Sequence, residues 1–313
     1  MGSIAANPVV ADIDITNGAT NWLWVVFAIM LSSCVGVGAL SFTQNPGRRA
    51  FHYISMAILA TASIAYFCLA SDLGATPIQV EYLRGYPAAT ATRSIWYVRY
   101  IDWVITTPLL LLELLLVSGL PLSAVFACVF ADEVMIVTGL IGALVASSYK
   151  WGLFAFGCAA MLVVFYILYV PGLLSAKHLG GDYYKSYFQG ALVLSILWTL
   201  YPICWGLAEG GNVISPNGEL IFYSILDIFA KPVFAMVHLF GLRRIDYERL
   251  QLSSGKYSEF AQVPGSLEKG TTAHDSHLRA GTLKEAEANA AHGHTGTAQP
   301  APAVRPSNDG TVA

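Results

Sequence analysis

RYIDWVITTPLLLLELLL, residues Arg99–Leu116, is the stretch on which the fold turns. It is too apolar for a helix with a solvated face, yet it carries an arginine, an aspartate and a glutamate. Arg99, Asp102 and Thr106 recur at i, i+3 and i+7, so a helix puts them in one stripe. Ionised groups are expensive inside a hydrocarbon layer, and each therefore needs a partner or a task. The stretch predicts a membrane-crossing helix with an ionisable stripe turned to the interior of a bundle.

Outward from this segment the same texture repeats. Seven apolar runs are legible, over Trp22–Phe42, Phe51–Ser71, Ile95–Val117, Leu122–Val145, Trp151–Leu173, Phe188–Ala208 and Leu220–Leu242. Each approaches the roughly 20 residues needed to span the bilayer. Helices are required, because open strands would leave backbone groups unpaired in lipid. The predicted fold class is an all-α membrane protein, a bundle of seven transmembrane helices. Across 313 residues, 55% are hydrophobic and only 12% charged, which excludes an ordinary soluble domain. A formal net charge of −3 gives no basic footprint for nucleic acid. The expected surroundings are membrane lipids.

Basic residues orient the bundle. Arg48, Arg49, Lys177, Lys185, Arg243, Arg244 and Arg249 follow spans one, five and seven, whereas Arg84, Arg93 and Lys150 lie on the other side. The excess is expected in the cytoplasm, which puts the N-terminus outside and the C-terminus inside. Residues 1–20 then read as an extracellular segment and 21–250 as the seven-helix domain. The first run lacks the basic leader of a cleaved signal. Residues 251–313, rich in Gly, Ala, Thr, Pro and His, read as a disordered cytoplasmic tail. Its histidines, in HDSH and HGH, could bind a metal, but short His tracts in loose tails are commonly passive, and no metal site is expected. All five cysteines, Cys34, Cys68, Cys128, Cys158 and Cys204, fall within spans, against an extracellular disulfide framework.

The last span carries LDIFAKP, Leu226–Pro232, with Asp227 and Lys231 one turn apart on one face. A bare ammonium is costly at that depth. Capture of an aldehyde converts the amine to an imine, whose protonated form neighbouring carboxylates can hold. Asp102 is a natural second counter-ion and proton acceptor, with Thr106 as its hydrogen-bond partner, and Arg99 is placed to stabilise both Asp102 and Asp227. Glu113 lies about 16 Å beyond Asp102 along the helix, in surroundings that are nearly all leucine. It is expected to rest neutral, as a donor on the cytoplasmic side requires. Tyr66, Tyr100, Trp103, Trp198, Tyr201 and Trp205 surround these charges, and a stiff conjugated chain would fit between such rings. Pro202 gives span six a plausible hinge. Asp132 and Glu133 add two acids in span four.

RYIDWVITTPLLLLE in span three, WTLYPICW (Trp198–Trp205) in span six and LDIFAK in span seven together resemble the microbial (type I) rhodopsins, particularly fungal members, over about Trp22–Leu250. The resemblance implies all-trans retinal bound covalently as a protonated Schiff base on Lys231. It implies Asp102 as primary acceptor, Asp227 as second counter-ion and Arg99 as the gate toward the extracellular half. Trp103, Trp198, Tyr201 and Trp205 would form the pocket walls, with Thr107, Met135, Gly139 and Pro202 completing them. Tyr66 would hydrogen-bond Asp227, and Asp132 would lie near the ring end. Glu209 and Glu219 would release protons outside, and Ser55 would hydrogen-bond the donor Glu113.

Phe154 stands where the archaeal pattern has a pocket tryptophan, Gly157 where it has serine, and Glu113 where it has aspartate. The implied function is a light-driven outward proton pump, with isomerisation from all-trans to 13-cis as the trigger, and not an enzyme. Protons and internal waters are the expected partners, and the plasma membrane the expected location. A slow-cycling sensor without net transport is the alternative, and a light-gated channel fits less well. Helix packing leaves room for a homo-oligomer without marking its interface.

Overall fold

The computed structural model describes residues 3–7, 10–85, 90–247, 249–250 and 252. The expected tail over 251–313 lies, but for Leu252, outside the described residues. Among the described residues, seven helices are long and apolar enough to cross a membrane: α1 (Asn17–Ser41), α2 (Ala50–Ala70), α3 (Val98–Ser118), α4 (Leu122–Leu144), α5 (Lys150–Leu179), α6 (Gly181–Gly210) and α7 (Pro216–Gly241). Each packs on the next, α1 also meets α7, and α3 additionally touches α5 and α6. The bundle therefore closes around α3. Of their most apolar windows, α3 buries 61% and α7 56%, against 22% for α1. The ionisable stripes thus lie on the two most enclosed helices, while Ile64, Phe126, Phe130 and Leu162 point outward, as a lipid-facing surface requires.

Helix ends follow local chemistry. Ser215 caps α7 by accepting from the Gly218 amide at 3.3 Å, and Pro216 occupies the first turn, where no amide partner is needed. Gly119, at φ 68°, ends α3 in the left-handed conformation that favours glycine. Wider π-helical turns interrupt α5 at Leu168–Gly172, α6 at Gly206–Gly210 and α7 at Phe229–Val233. Pro171 and Pro232 sit inside two of them, where the wider turn accommodates a residue without an amide proton. Lys231 lies in the same turn as Pro232.

Two differences from the hydropathy reading have clear causes. Span three begins at Val98 rather than Ile95, because Thr92–Trp96 is a strand (β2) paired antiparallel with Ala75–Gln79 (β1). Ile13 adds a parallel bridge to Arg93, so the N-terminal segment lies along this hairpin. Span six begins at Gly181, seven residues before the apolar run, because GDYYKSY is polar yet helical. Hydropathy reports the membrane-embedded part of a helix, not its full length.

The π turn of α5 brings Gly172 against α6. A Cβ there would stand 2.1 Å from the Tyr187 hydroxyl, which donates to the Leu168 carbonyl at 2.9 Å. Gly172→Ala is expected to cost about 1–3 kcal/mol by overpacking, read as a lower unfolding midpoint of the detergent-purified protein. An unchanged midpoint would show that the two helices separate easily at this point.

Candidate functional site

Lys231 and Asp227 project from consecutive turns of α7, and Asp102 faces them from α3. Lys231 Nζ donates to Asp102 Oδ2 and lies 3.1 Å from Asp227 Oδ2, with all three side chains almost wholly buried. Asp227 is fixed by two hydroxyls, Tyr66 at 2.8 Å and Tyr201 at 2.6 Å. One cation between two carboxylates and two phenols makes this a neutralised cluster rather than an isolated charge.

Beside the lysine lies a largely apolar cavity. Tyr100, Trp103, Thr107, Met135, Gly139, Phe154, Trp198, Tyr201, Pro202, Trp205 and Lys231, all expected there, line it. Phe154 stacks on Trp205 with centroids 5.0 Å apart. Asp132 stands behind the wall, accepting from Thr107 Oγ1 at 2.7 Å. Tyr66 likewise reaches the site through Asp227 rather than by lining the cavity. Leu110, Ile136, Gly157, Cys158, Met161, Tyr223, Asp227 and Ala230 complete the lining. An amine at one side of an aromatic-walled apolar cavity fits a long conjugated aldehyde: the reactive nitrogen is polar and paired, and the rest of the space is not.

At the end of the bundle where α3 and α7 begin and α6 ends lies a second cluster. Arg99 Nη2 contacts Glu209 Oε1 at 2.7 Å and Glu219 Oε1 at 2.5 Å, bridging both acids. Arg99 was expected to stabilise Asp102 and Asp227, yet its hydrogen bonds go to the glutamates. Its guanidinium lies 4.3 Å from the Tyr223 ring centroid, and the cation is satisfied there by charge and by the ring face. Tyr100 and Tyr223 donate to Glu209 at 3.0 and 3.3 Å. Thr106 also differs from expectation, since its hydroxyl donates to the Asp102 backbone carbonyl at 2.9 Å. Back-bonding to the carbonyl four residues earlier is the usual alternative for a helical threonine.

Two members of this cluster were not singled out from sequence. Arg93, counted only as a loop charge, is 1% exposed and donates to Glu219 Oε2 at 2.6 Å, to Asn212 at 2.8 Å and to the Ile214 carbonyl at 2.7 Å. Its strand turns it inward, and TRSIW carries no apolar–polar alternation that would have flagged it. Tyr223 was legible in principle, because Glu219, Tyr223, Asp227 and Lys231 recur every four residues on one face of α7. Lys150, another of the three bases counted on this side, is buried and 3.3 Å from Glu81.

Toward the other end, Glu113 is fully buried on α3 and accepts from Ser55 Oγ of α2 at 2.6 Å. Asp102, Lys231 and Glu113 are thus arranged along the bundle with Arg99, Glu209, Glu219 and Arg93 beyond Asp102. Among the described residues, no group of three His, Cys, Asp or Glu side chains is arranged to hold a metal ion.

Comparison with known proteins agrees with this geometry. The family described as bacteriorhodopsin-like protein matches residues 17–245. The opsin-like protein carO of Fusarium fujikuroi is 45% identical over 280 residues, covering 89% of this chain and 91% of its own. The crystal structure of the light-driven proton pump LR (Mac) from Leptosphaeria maculans aligns with a TM-score of 0.70 at 35% identity, covering 76% of this chain and all of that one (100%). The bromide-bound form of halorhodopsin from Halobacterium salinarum aligns with a TM-score of 0.68 at 26% identity, covering 75% of this chain and 97% of that one. The chain is a microbial rhodopsin, a member of the bacteriorhodopsin-like family, and belongs with membrane ion transporters and photoreceptors rather than with catalytic enzymes.

Proposed function

We propose that the chain is a light-driven pump that moves protons outward across the plasma membrane. The observation that carries this reading is the file of buried ionisable groups running from Glu113 past Lys231, Asp102 and Asp227 to Arg99, Glu209, Glu219 and Arg93. The N-terminus and residues 1–20 lie outside, 21–250 form the pigment-bearing domain, and 251–313 form a cytoplasmic tail. Support comes from the basic residues: Arg93 and Lys150 are paired and buried, which leaves the solvent-facing excess on the opposite side.

All-trans retinal joined to Lys231 Nζ supplies the light-driven change of shape, to 13-cis. The protein's residues do the rest. The proton at Lys231 Nζ passes to Asp102 Oδ2, its hydrogen-bond partner. Asp227, gripped by Tyr66 and Tyr201, stays in position while Asp102 changes charge. Neutralising Asp102 removes a negative charge from the neighbourhood of Arg99, which already touches both Glu209 and Glu219 and transmits the change to them. That pair releases a proton outside without a large swing of the arginine. Glu113 returns a proton to Lys231 Nζ from the cytoplasmic side. Internal waters bridge the groups, since Asp102 Oδ1, Arg99 Nε and Arg99 Nη1 are buried without protein partners among the described residues.

Two carboxylates flank Lys231, which disfavours a halide at the same place by like-charge repulsion. The expected result is an outward photocurrent at zero voltage in cells supplied with retinal, unchanged when sulfate replaces chloride. A current that vanishes without chloride would assign the chain to anion transport. Pigment that cycles slowly with no steady current would assign it to sensing.

Glu113→Gln removes the transferable proton but keeps the side chain's size and its contact with Ser55. Reprotonation of Lys231 Nζ is expected to slow about 100-fold or more, with retinal binding intact. Flash absorption spectroscopy reads this directly, and an unaltered decay across pH would refute the donor role.

A further inference from the structure

The cytoplasmic end of the site contains two histidines that the mechanism above leaves without a part. His238 lies on α7 two turns beyond Lys231, and is 4% exposed. Its ring interacts with the backbone of Glu113, so it sits at the depth of the donor acid. Phe234 stacks on it with centroids 5.3 Å apart, and Phe51 of α2 meets it edge-on at 6.0 Å. His52, next to Phe51, is 8% exposed and lies in the first turn of α2, one turn nearer the helix start than Ser55, which holds Glu113. Arg49 and Arg243 act on His52 electrostatically, which places it at the basic rim of the bundle.

Three buried polar atoms here have no partner among the described residues: Glu113 Oε2, His238 Nε2 and His52 Nδ1. Buried polar atoms are normally satisfied. Two imidazoles and a carboxyl with free positions, strung between an acid and the rim of the bundle, form a polar path through otherwise apolar packing. Tyr247, beneath Arg48 at 5.1 Å, packs at 5.4 Å on Phe51, the same ring that meets His238. A core histidine serving packing alone would be better replaced by an apolar ring, as its neighbours Phe234 and Phe51 are.

We propose that His238, with His52 between it and the cytoplasm, relays the proton that refills Glu113 after each turnover. The inference rests on the pump reading, because only a pump must refill its donor from inside. His52 takes a proton from cytoplasmic water and hands it inward through bound water. A ring nitrogen of His238 accepts it, and His238 then gives a proton to the Glu113 carboxylate. Each histidine ends neutral, Glu113 ends as the acid, and one proton has left the cytoplasm. Imidazole suits this task because one ring carries both a donor and an acceptor nitrogen, so a proton taken at one side is passed on from the other.

The test is flash photolysis of the full-length, retinal-loaded protein with a pH-indicator dye, comparing the wild type with His238→Leu, His238→Gln and His52→Gln. Dye records proton uptake from the medium, while visible absorption records return of the proton to Lys231 Nζ. In both His238 variants uptake is expected to slow at least 10-fold, with the return to Lys231 unchanged on the first flash. Millimolar imidazole is expected to restore uptake, and His52→Gln to slow it less. If His238→Leu does not hold pigment, the His238→Gln and His52→Gln traces carry the decision. Uptake unchanged in both histidine-to-glutamine variants would overturn the relay, and so would slowing that imidazole does not relieve, which marks a packing role. A wild type that takes up no proton at all would remove the pump reading itself, and the relay with it.

Discussion

Asp102→Asn is expected to shift the visible band of the retinal-loaded protein to longer wavelength and to cut light-driven transport by about 100-fold or more. Asparagine keeps the shape of the side chain and loses both the negative charge and the capacity to accept the proton. In the native site Lys231 Nζ donates to Asp102 Oδ2 and approaches Asp227 at 3.1 Å, so positive charge is held at the nitrogen by two carboxylates. With one of them neutral, that charge spreads further along a conjugated chain, and the excitation energy falls. Asp227 does not replace the lost acceptor, because both its oxygens already accept from Tyr66 and Tyr201. Absorption spectra and photocurrents of the variant check both effects together. Unchanged colour with unchanged transport would remove Asp102 from the acceptor role.

Lys231→Ala should abolish the covalent pigment altogether. Among the described residues, Lys231 is the only amine lining the apolar cavity, and it lies in a π-helical turn with its Nζ between the two aspartates. Truncation also leaves Asp102 and Asp227 buried without their cation, a change that costs about 3–5 kcal/mol when a buried pair is broken from one side. The variant is therefore expected to show no visible band after retinal addition and a lower unfolding midpoint. A retained visible band that resists hydroxylamine would place the linkage elsewhere.

Much of this site can be read from residue types and spacing, and the limits are as physical as the successes. Membrane spans are legible because the bilayer demands long apolar runs. Intramembrane charges are legible because they are costly enough to be rare. Asp102, Lys231 and Asp227 lie together, as the spacing suggests, whereas the bonds of Tyr66 to Asp227 and of Ser55 to Glu113 were implied only by the family resemblance. What escaped was long-range pairing outside the apolar runs. Arg93 looked like a loop charge because nothing in TRSIW shows that Ala75–Gln79 pairs with it and turns its guanidinium onto Glu219. Arg99 could have faced either acid pair from its position on α3. The choice depends on Glu209 and Glu219, whose approach is set by a π turn at the end of α6 and a capped first turn of α7. His52 and His238 lie 186 residues apart, and only the packing of α2 against α7 gives them a common purpose.

The most direct test of the central claim is the external pH of retinal-supplied cells expressing the chain, recorded through cycles of light and dark with and without a protonophore. Outward proton pumping predicts prompt acidification in light that the protonophore abolishes. Cells that hold the pigment yet show no pH change, or that turn the medium alkaline in light, would contradict it.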